Sequence, residues 1–518
     1  MTDWLRAARA ALVAAALAAP ALAAPVLGEH QTSTVAVDSG AVVGGSEGGV
    51  LTFKGVPFAA APEGDLRWAP PRAPPPWATA RMADQFGPAC PQKVSPDRPN
   101  AGGVMGPTSE DCLFLNVWTP RGAPEAGRRL PVMVWIYGGA NLFGSGSLGA
   151  YDGWAFARDG VILVTFNYRL GVFGFFAHPA ITQAAAPGEP LVSYGLMDQI
   201  AALQWVKRNI GVFGGDPANV TVFGESAGGV DILALMAAPS AKGLFAKAIV
   251  ESGGGWSPAV TLARREAQGE ALAVKARAPA GASLAQLRAL PAQALVEAGE
   301  RDFGPAVDGR LLTQSPSQAF AHGQFAHIPL IIGSNSHEAS LMKSFGIPAP
   351  VIVAMAPAEV KAAYGDHETQ DDLAADLFTD GFMGGPARWI AGKASADPSW
   401  LYHFGYVVEA RRGKVKGADH ASEIAFVFDS WDHLGILGEG VPVSAADHAV
   451  TRVMHSCWVA FARTGLPTCD GAPAWPAYTS ANDQLMDFEA TPAVTAHFRK
   501  AQYDAQEAHA LTTLGVGK

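Results

Sequence analysis

One stretch constrains the chain more than any other: Gly224-Glu225-Ser226-Ala227-Gly228-Gly229. It follows Asn219-Val220-Thr221-Val222-Phe223, a β-branched run that reads as a buried strand. It precedes Val230-Asp231-Ile232-Leu233-Ala234-Leu235-Met236, an apolar run of helical residue types. This is G-x-S-x-G between a strand and a helix, the only context in which the pattern carries mechanical meaning. A serine at so tight a turn takes a strained backbone conformation, and residues two places to either side must be small. Gly224 and Gly228 meet that demand. The turn holds the Ser226 hydroxyl over the sheet edge, and the helix N-terminus brings backbone N–H groups to where negative charge would develop. Alone the pattern is weak, since glycine and serine are common in turns, so the rest of the chain must supply what a serine nucleophile requires.

The surrounding pattern is that of a parallel sheet. Leu130 to Tyr137 is apolar on both faces, as a central parallel strand must be, and ends in Gly138-Gly139-Ala140-Asn141. Leu113 to Trp118, Val161 to Asn167, Lys247 to Ser252, Ile328 to Gly333 and Leu401 to Val408 read as further strands. Between Tyr194 and Phe213, Leu196, Ile200, Leu203, Val206 and Ile210 form one apolar stripe, hence a helix. Gly214-Gly215-Asp216-Pro217 then makes a turn into the elbow strand. Strand, helix, strand, turn and helix follow βαβ logic, which places a site outside the carboxyl ends of parallel strands. Thr32 to Val56 reads as a small N-terminal sheet. Residues 57–78 form a proline-rich covering that buries Phe58, Trp68 and Trp77, and residues 261–300 and 350–395 are helical. Ala446 to Thr464 is a helix that closes the fold.

Composition bounds the function. Of 518 residues, 49% are apolar and 16% charged, enough for a large core and against disorder. Length alone suggests about three domains, but no composition shift cuts the chain into independent parts. The net charge of -10 with no lysine/arginine cluster argues against nucleic acid and against an anionic membrane surface as partners.

Residues 1–23 read as an export signal: Arg6 and Arg9, the uncharged run Ala10 to Ala19, then the small-x-small pattern Ala21-Leu22-Ala23. An alanine-rich helix or a retained anchor is the alternative. No later stretch reaches about 18 uninterrupted apolar residues, so no stable membrane span is expected. Export, to the periplasm or the medium, permits disulfides. Cys90 and Cys112 flank a loop rich in proline, glycine and polar residues and read as a clamp on it, the alternative being two free buried thiols. Whether Cys457 and Cys469 pair stays open. No Cys/His spacing suggests zinc, and neither a metal nor a cofactor is expected.

Several longer segments match a known family. Glu110-Asp111-Cys112-Leu113-Phe114-Leu115-Asn116-Val117, Asn167-Tyr168-Arg169-Leu170-Gly171, and the block from Tyr194-Gly195-Leu196-Met197-Asp198-Gln199 through Phe213-Gly214-Gly215-Asp216-Pro217 into the elbow closely resemble the type-B carboxylesterase/cholinesterase family of α/β-hydrolases. The resemblance runs from about Gly49 to Trp475 and is strongest between residues 110 and 256. It implies an α/β-hydrolase fold, with a large, mostly parallel central sheet flanked by helices, a small N-terminal sheet and helical insertions. Residues 24–518 then form a single domain.

The resemblance also implies a triad in the order serine, acid, histidine, in which a base takes the serine proton and a carboxylate orients that base. Gly333-Ser334-Asn335-Ser336-His337-Glu338 is similar to the family's acid loop and assigns the carboxylate to Glu338. Asp419-His420-Ala421-Ser422-Glu423 is similar to its histidine loop and assigns the base to His420. His337 and His433 do not match the histidine position. Glu423 is a rival acid by proximity, but three residues along one local segment rarely put a carboxylate on the far ring nitrogen. Asp308 resembles a structural turn. The oxyanion hole falls to the backbone N–H groups of Gly139, Ala140 and Ala227, with Gly138 allowing close approach. Glu225 is expected to be a buried carboxylate orienting neighbouring loops.

Three departures bear on the substrate. Asn141 stands where the family usually has an aromatic, so that pocket wall is expected to be more polar. Tyr137 precedes the glycines, as in cholinesterases. The Cys90–Cys112 loop contains no tryptophan, which argues against choline esters. Trp256 reads equally as a pocket wall or a core residue. The expected activity is hydrolysis of small-molecule carboxylic esters through an acyl-enzyme. A specialised hydrolase of a natural-product ester, amide or carbamate would share the chemistry. A neuroligin-like binding protein is the alternative from another class, and such proteins typically lack the nucleophile.

Overall fold

The computed structural model describes residues 32–95, 103–104, 106–299, 302–367, 369–434 and 441–516. The export signal proposed at residues 1–23 lies outside them. Thirteen strands are described: β1 (Ser33–Val37), β2 (Gly40–Glu47), β3 (Val50–Pro57), β4 (Arg81–Met82), β5 (Phe114–Pro120), β6 (Leu130–Ile136), β7 (Ile162–Phe166), β8 (Gly215–Glu225), β9 (Lys247–Glu251), β10 (Leu330–Asn335), β11 (Ser399–Phe404), β12 (Gln484–Phe488) and β13 (Ala493–Ala496). They join in the order β1-β2-β3-β5-β7-β6-β8-β9-β10-β11-β12-β13, with β4 paired to β2.

The stretch from β7 to β12 is parallel throughout. Every residue of β7, β9 and β10 is buried, as a strand covered by helices on both faces requires. The N-terminal strands are not separate from this sheet. The first half of β2 pairs with β1 and β4, and its second half with β3, so the small sheet continues into the large one. β8 begins at Gly215, within the stretch expected to be a turn, and its pairing with β6 is irregular between Leu130 and Val132. The helix Ala445–Thr464 does not close the fold: β12, β13 and the helix Lys500–Leu514 follow it.

The family-like segments carry structural roles in the core. Arg169 and Asp198, from two of those segments, form a fully buried bidentate pair at 2.7 and 2.8 Å. Glu110 pairs with Arg67, whose guanidinium also donates to the carbonyls of Arg288 and Leu290. Asp308 accepts from the N–H groups of Leu191, Arg310, Leu311 and Leu312, so it organises a turn.

Cys90 and Cys112, 22 residues apart, are disulfide-bonded, and so are Cys457 and Cys469, 12 apart. Residues 339–378 carry a small apolar core of their own, built on Met342, Ile352, Val360, Tyr364, Leu377 and Phe378, distinct from the main one. Among the described residues no helix is long and apolar enough to cross a membrane.

Candidate active site

Three parallel strands deliver three loops to one end of the sheet. β8 ends at Glu225 and turns at Ser226, β6 runs out into Gly138-Gly139-Ala140, and β10 leads to Glu338. Ser226 sits at φ 55°, ψ -122°, a conformation that L-residues rarely adopt. Three glycines make the turn possible. A Cβ on Gly224 would stand 2.4 Å from the Ile136 carbonyl oxygen, and one on Gly228 would stand 1.9 Å from the same atom. A Cβ on Gly138 would lie within 3 Å of the Glu225 backbone and carboxylate and of the Ser226 Cβ. The Ser226 N–H donates to the Glu251 carbonyl at 2.9 Å and anchors the turn to β9.

The helix Ala227–Ala237 begins directly after the serine, so the Ala227 N–H has no acceptor within its helix. Facing it, Gly139, Ala140 and Asn141 hold φ values of 100°, 56° and 57°, three consecutive left-handed residues. Asparagine tolerates that region better than an aromatic residue does, which accounts for the residue type at 141.

Glu338 is fully buried and fully engaged. Its Oε2 lies 2.5 Å from His420 Nδ1, and its Oε1 accepts from the Ser252 hydroxyl at 2.6 Å and the Asn335 N–H at 2.7 Å. The backbone on either side of this contact is paired as well. The His337 N–H donates to the Ala418 carbonyl, the His420 N–H donates to the Ser340 hydroxyl at 3.0 Å, and the His337 and Asp419 side chains meet at 2.9 Å. Glu423 is buried too, but it accepts from the Asn335 amide and not from His420.

Glu225 departs from expectation. Its Oε1 stands 2.9 Å from His420 Nε2, too far off line for a hydrogen bond. It therefore acts on the imidazole and not only on neighbouring loops. Burial by itself lowers the His420 pKa, but Glu225 and Glu338 on either side outweigh it and hold the ring well above the ordinary histidine value. The same crowding works in reverse on the other carboxyls. Burial, reinforced by Glu225, pushes Glu251 up to about 8 despite a hydrogen bond from Trp458. Burial also raises Glu423 well above the ordinary range, with Glu225, Glu251 and Glu338 adding to the effect.

A cavity of about 630 Å³ opens onto Ser226, Ala140 and Ala227. Trp256 lines it, which resolves that tryptophan as a wall, together with Phe303, Phe345, Phe378, Phe382 and Met355. Among the described residues no lysine, arginine, aspartate or glutamate lines it. The His420 loop borders a second cavity of about 340 Å³. Tyr137 does not reach either one: it is buried and stacks on Tyr168. Asn141 borders the first cavity but is not the open polar wall expected of it. Its amide turns back into the protein and donates to Asp231 Oδ1 at 3.2 Å. Gln199 donates to the other oxygen of Asp231 at 2.6 Å. Burial pushes Asp231 up to about 7 in spite of these two donors.

The sequence reading missed Ser252, Asn335, Ser340, Gln199 and Asp231. Asp231 carried a signal, a lone carboxylate inside an apolar helix, which must be partnered or neutralised.

Comparison with known proteins places this geometry in context. The Carboxylesterase family profile matches residues 31–364 and 353–506. A fumonisin B1 esterase of Sphingopyxis macrogoltabida is 37% identical over 482 residues, covering 85% of this chain and 83% of that protein. A para-nitrobenzyl esterase of Bacillus subtilis is 35% identical over 471 residues, covering 86% and 92%. Among solved structures, a thermophilic PNB esterase superposes with a TM-score of 0.80 at 32% identity, covering 92% of this chain and all of that one. A Geobacillus stearothermophilus carboxylesterase superposes with a TM-score of 0.78 at 33% identity, covering 91% and 99%.

Proposed function

The chain belongs to the carboxylesterase family and is a carboxylic ester hydrolase of α/β-hydrolase fold; on that premise we propose that it works by two-step acyl transfer at Ser226. His420 takes the Ser226 proton as the serine oxygen bonds to the ester carbonyl carbon. The oxyanion rests on the N–H groups of Gly139, Ala140 and Ala227. As the tetrahedral intermediate collapses, the carbon–oxygen bond to the alcohol breaks and His420 returns the proton to the leaving alcohol. Water, deprotonated by the same imidazole, then attacks the acyl-enzyme and releases the acid. Glu338 orients the ring through Nδ1 and balances its charge.

The observation that carries this reading is the 2.5 Å contact between Glu338 Oε2 and His420 Nδ1, together with a strained elbow at Ser226 whose preceding residue, Glu225, reaches within 2.9 Å of His420 Nε2. The test is Ser226→Ala. Turnover of a simple aryl ester should fall by about 10⁴-fold or more, and labelling by a fluorophosphonate should vanish, with the fold unchanged. Retained turnover would sink the assignment.

The cavity that meets Ser226 supports substrates whose larger moiety is uncharged and apolar, since the described residues lining it include no lysine, arginine, aspartate or glutamate and a single imidazole, that of His509. The fumonisin B1 esterase relative favours a second reading, a natural-product ester as substrate. Esters graded in size and charge on the acyl and alcohol sides separate the two. The paired cysteines support an oxidising compartment, periplasm or medium, reached through cleavage near Ala23. We take residues 24–518 as one domain.

A further inference from the structure

The two halves of the oxyanion hole come from separate segments, the turn after β6 and the first turn of the helix Ala227–Ala237. A side-chain bridge joins them. Asn141 directly follows the Gly139 and Ala140 donors, and Asp231 lies in the second turn of the helix that Ala227 opens. Asn141 Nδ2 donates to Asp231 Oδ1, and Gln199, on the helix Tyr194–Asn209, donates to Oδ2. All three side chains are buried. Gly171 N–H holds the Asn141 carbonyl at 2.7 Å, so the residue is fixed from both its backbone and its side chain.

Packing alone does not explain this group. Among the described residues no lysine, arginine or histidine pairs with Asp231, and the second amide atoms, Asn141 Oδ1 and Gln199 Oε1, have no partner. A buried carboxyl without a cation and two orphaned acceptors are destabilising, and an apolar trio of similar volume would be more stable. The left-handed backbone at 141 accounts for an asparagine there but not for the carboxyl that meets it.

We propose that the Asn141–Asp231–Gln199 network is a positioning device that fixes the Gly139/Ala140 donors relative to the Ala227 donor. The proposal rests on the reading of those three N–H groups as the oxyanion hole. Neither Asn141 nor Asp231 touches the reacting atoms. They act by holding two donor segments in register, so their loss should weaken transition-state binding and leave ground-state binding alone.

The experiment compares Asn141→Gly, Asp231→Ala, their double variant and Asp231→Asn. Asn141→Gly keeps the left-handed backbone and removes only the amide. Asp231→Asn keeps an acceptor for Asn141, and Gln199 can flip to meet its NH₂ group. Steady-state kinetics on an aryl butyrate and affinity for an aryl trifluoromethyl ketone, which binds a serine esterase as a tetrahedral adduct, are the readouts.

Asn141→Gly and Asp231→Ala should each lower kcat by about tenfold, less than the 10²–10³ of deleting a donor outright, with KM little changed. Ketone affinity should fall in step. The double variant should be no worse than either single, and Asp231→Asn should keep most of the activity. Wild-type kcat in Asn141→Gly, or losses that multiply in the double variant, overturn the proposal. If Asp231→Ala does not fold, Asn141→Gly with and without Asp231→Asn decides. Failure of the wild type to bind the ketone removes the oxyanion-hole reading beneath it, whereas tight binding by wild type and Asn141→Gly alike removes the bridge alone.

Discussion

Glu225 Oε1 lies 2.9 Å from His420 Nε2, the ring nitrogen opposite the one that Glu338 holds. The imidazole is thus flanked by two carboxylates, and its charged form is favoured. A base must be neutral to accept a proton, so the acidic limb of kcat/KM should lie above the ordinary histidine range. Glu225→Gln removes one of the two charges that raise the pKa. The limb should then shift to lower pH, and at mildly acidic pH the variant should retain a larger share of its own maximum than the wild type does. A pH–rate profile on an uncharged aryl ester checks this, and a limb that stays or rises contradicts it.

Asp231 makes a second prediction, on stability. Its carboxyl has a folded pKa raised to about 7 from an ordinary 3.8, so across that interval the folded state binds more protons than the unfolded one. The contribution is present in full below the unfolded value, is lost as pH rises through about 7, and is flat beyond. For every tenfold gap in proton affinity between the two states, at most about 1.4 kcal/mol is lost. Asp231→Asn cannot ionise and escapes the loss. Melting curves should show the variant gaining on the wild type between acidic and mildly alkaline pH. An equal difference in both buffers would mean that the carboxyl stays charged throughout.

Gly228 is the glycine least able to accept a side chain in the elbow. An alanine there would drive its Cβ to 1.9 Å from the Ile136 carbonyl, and backbone cannot swing aside as a side chain can. Gly228→Ala should cost roughly 3 kcal/mol of stability and should also abolish fluorophosphonate labelling, because the displaced segment carries Ser226. Denaturant midpoints and labelling read the two effects separately.

The Cys90–Cys112 bridge closes a loop of 22 residues. By the chain-entropy argument its removal should cost about 3 kcal/mol. Cys90→Ser/Cys112→Ser, measured by urea unfolding with the other disulfide intact, tests that figure. An unchanged midpoint would mean that the loop is held by its other contacts, such as the hydrogen bonds between Gln92 and Gly144.

What could be read from the chain divides along physical lines. The elbow, the apolar strands around it and the loops bearing Glu338 and His420 were legible because backbone strain, burial on both faces and motif resemblance act over a few adjacent residues. The long-range contacts around the candidate site were not. Ser252 meets Glu338 across 86 positions and Asn141 meets Asp231 across 90, and neither pairing leaves a periodicity or a spacing. Asn141 shows the difference best. Its type suggested a more polar wall, whereas the fold turns its amide inward to Asp231. Glu225 was legible as a buried carboxylate, whereas its proximity to the imidazole depends on where the His420 loop returns, nearly two hundred residues later.

The separate apolar core of residues 339–378 has a consequence for how such a protein changes over time. Ile352, Leu377 and Phe378 belong both to that small core and to the wall of the cavity that meets Ser226. Substitutions at these three helical positions change the cavity wall without altering a strand or one of the loops that carry Ser226, Glu338 and His420. Selection, natural or in the laboratory, can therefore vary the cavity at these positions while Ser340, which accepts from the His420 N–H, is kept.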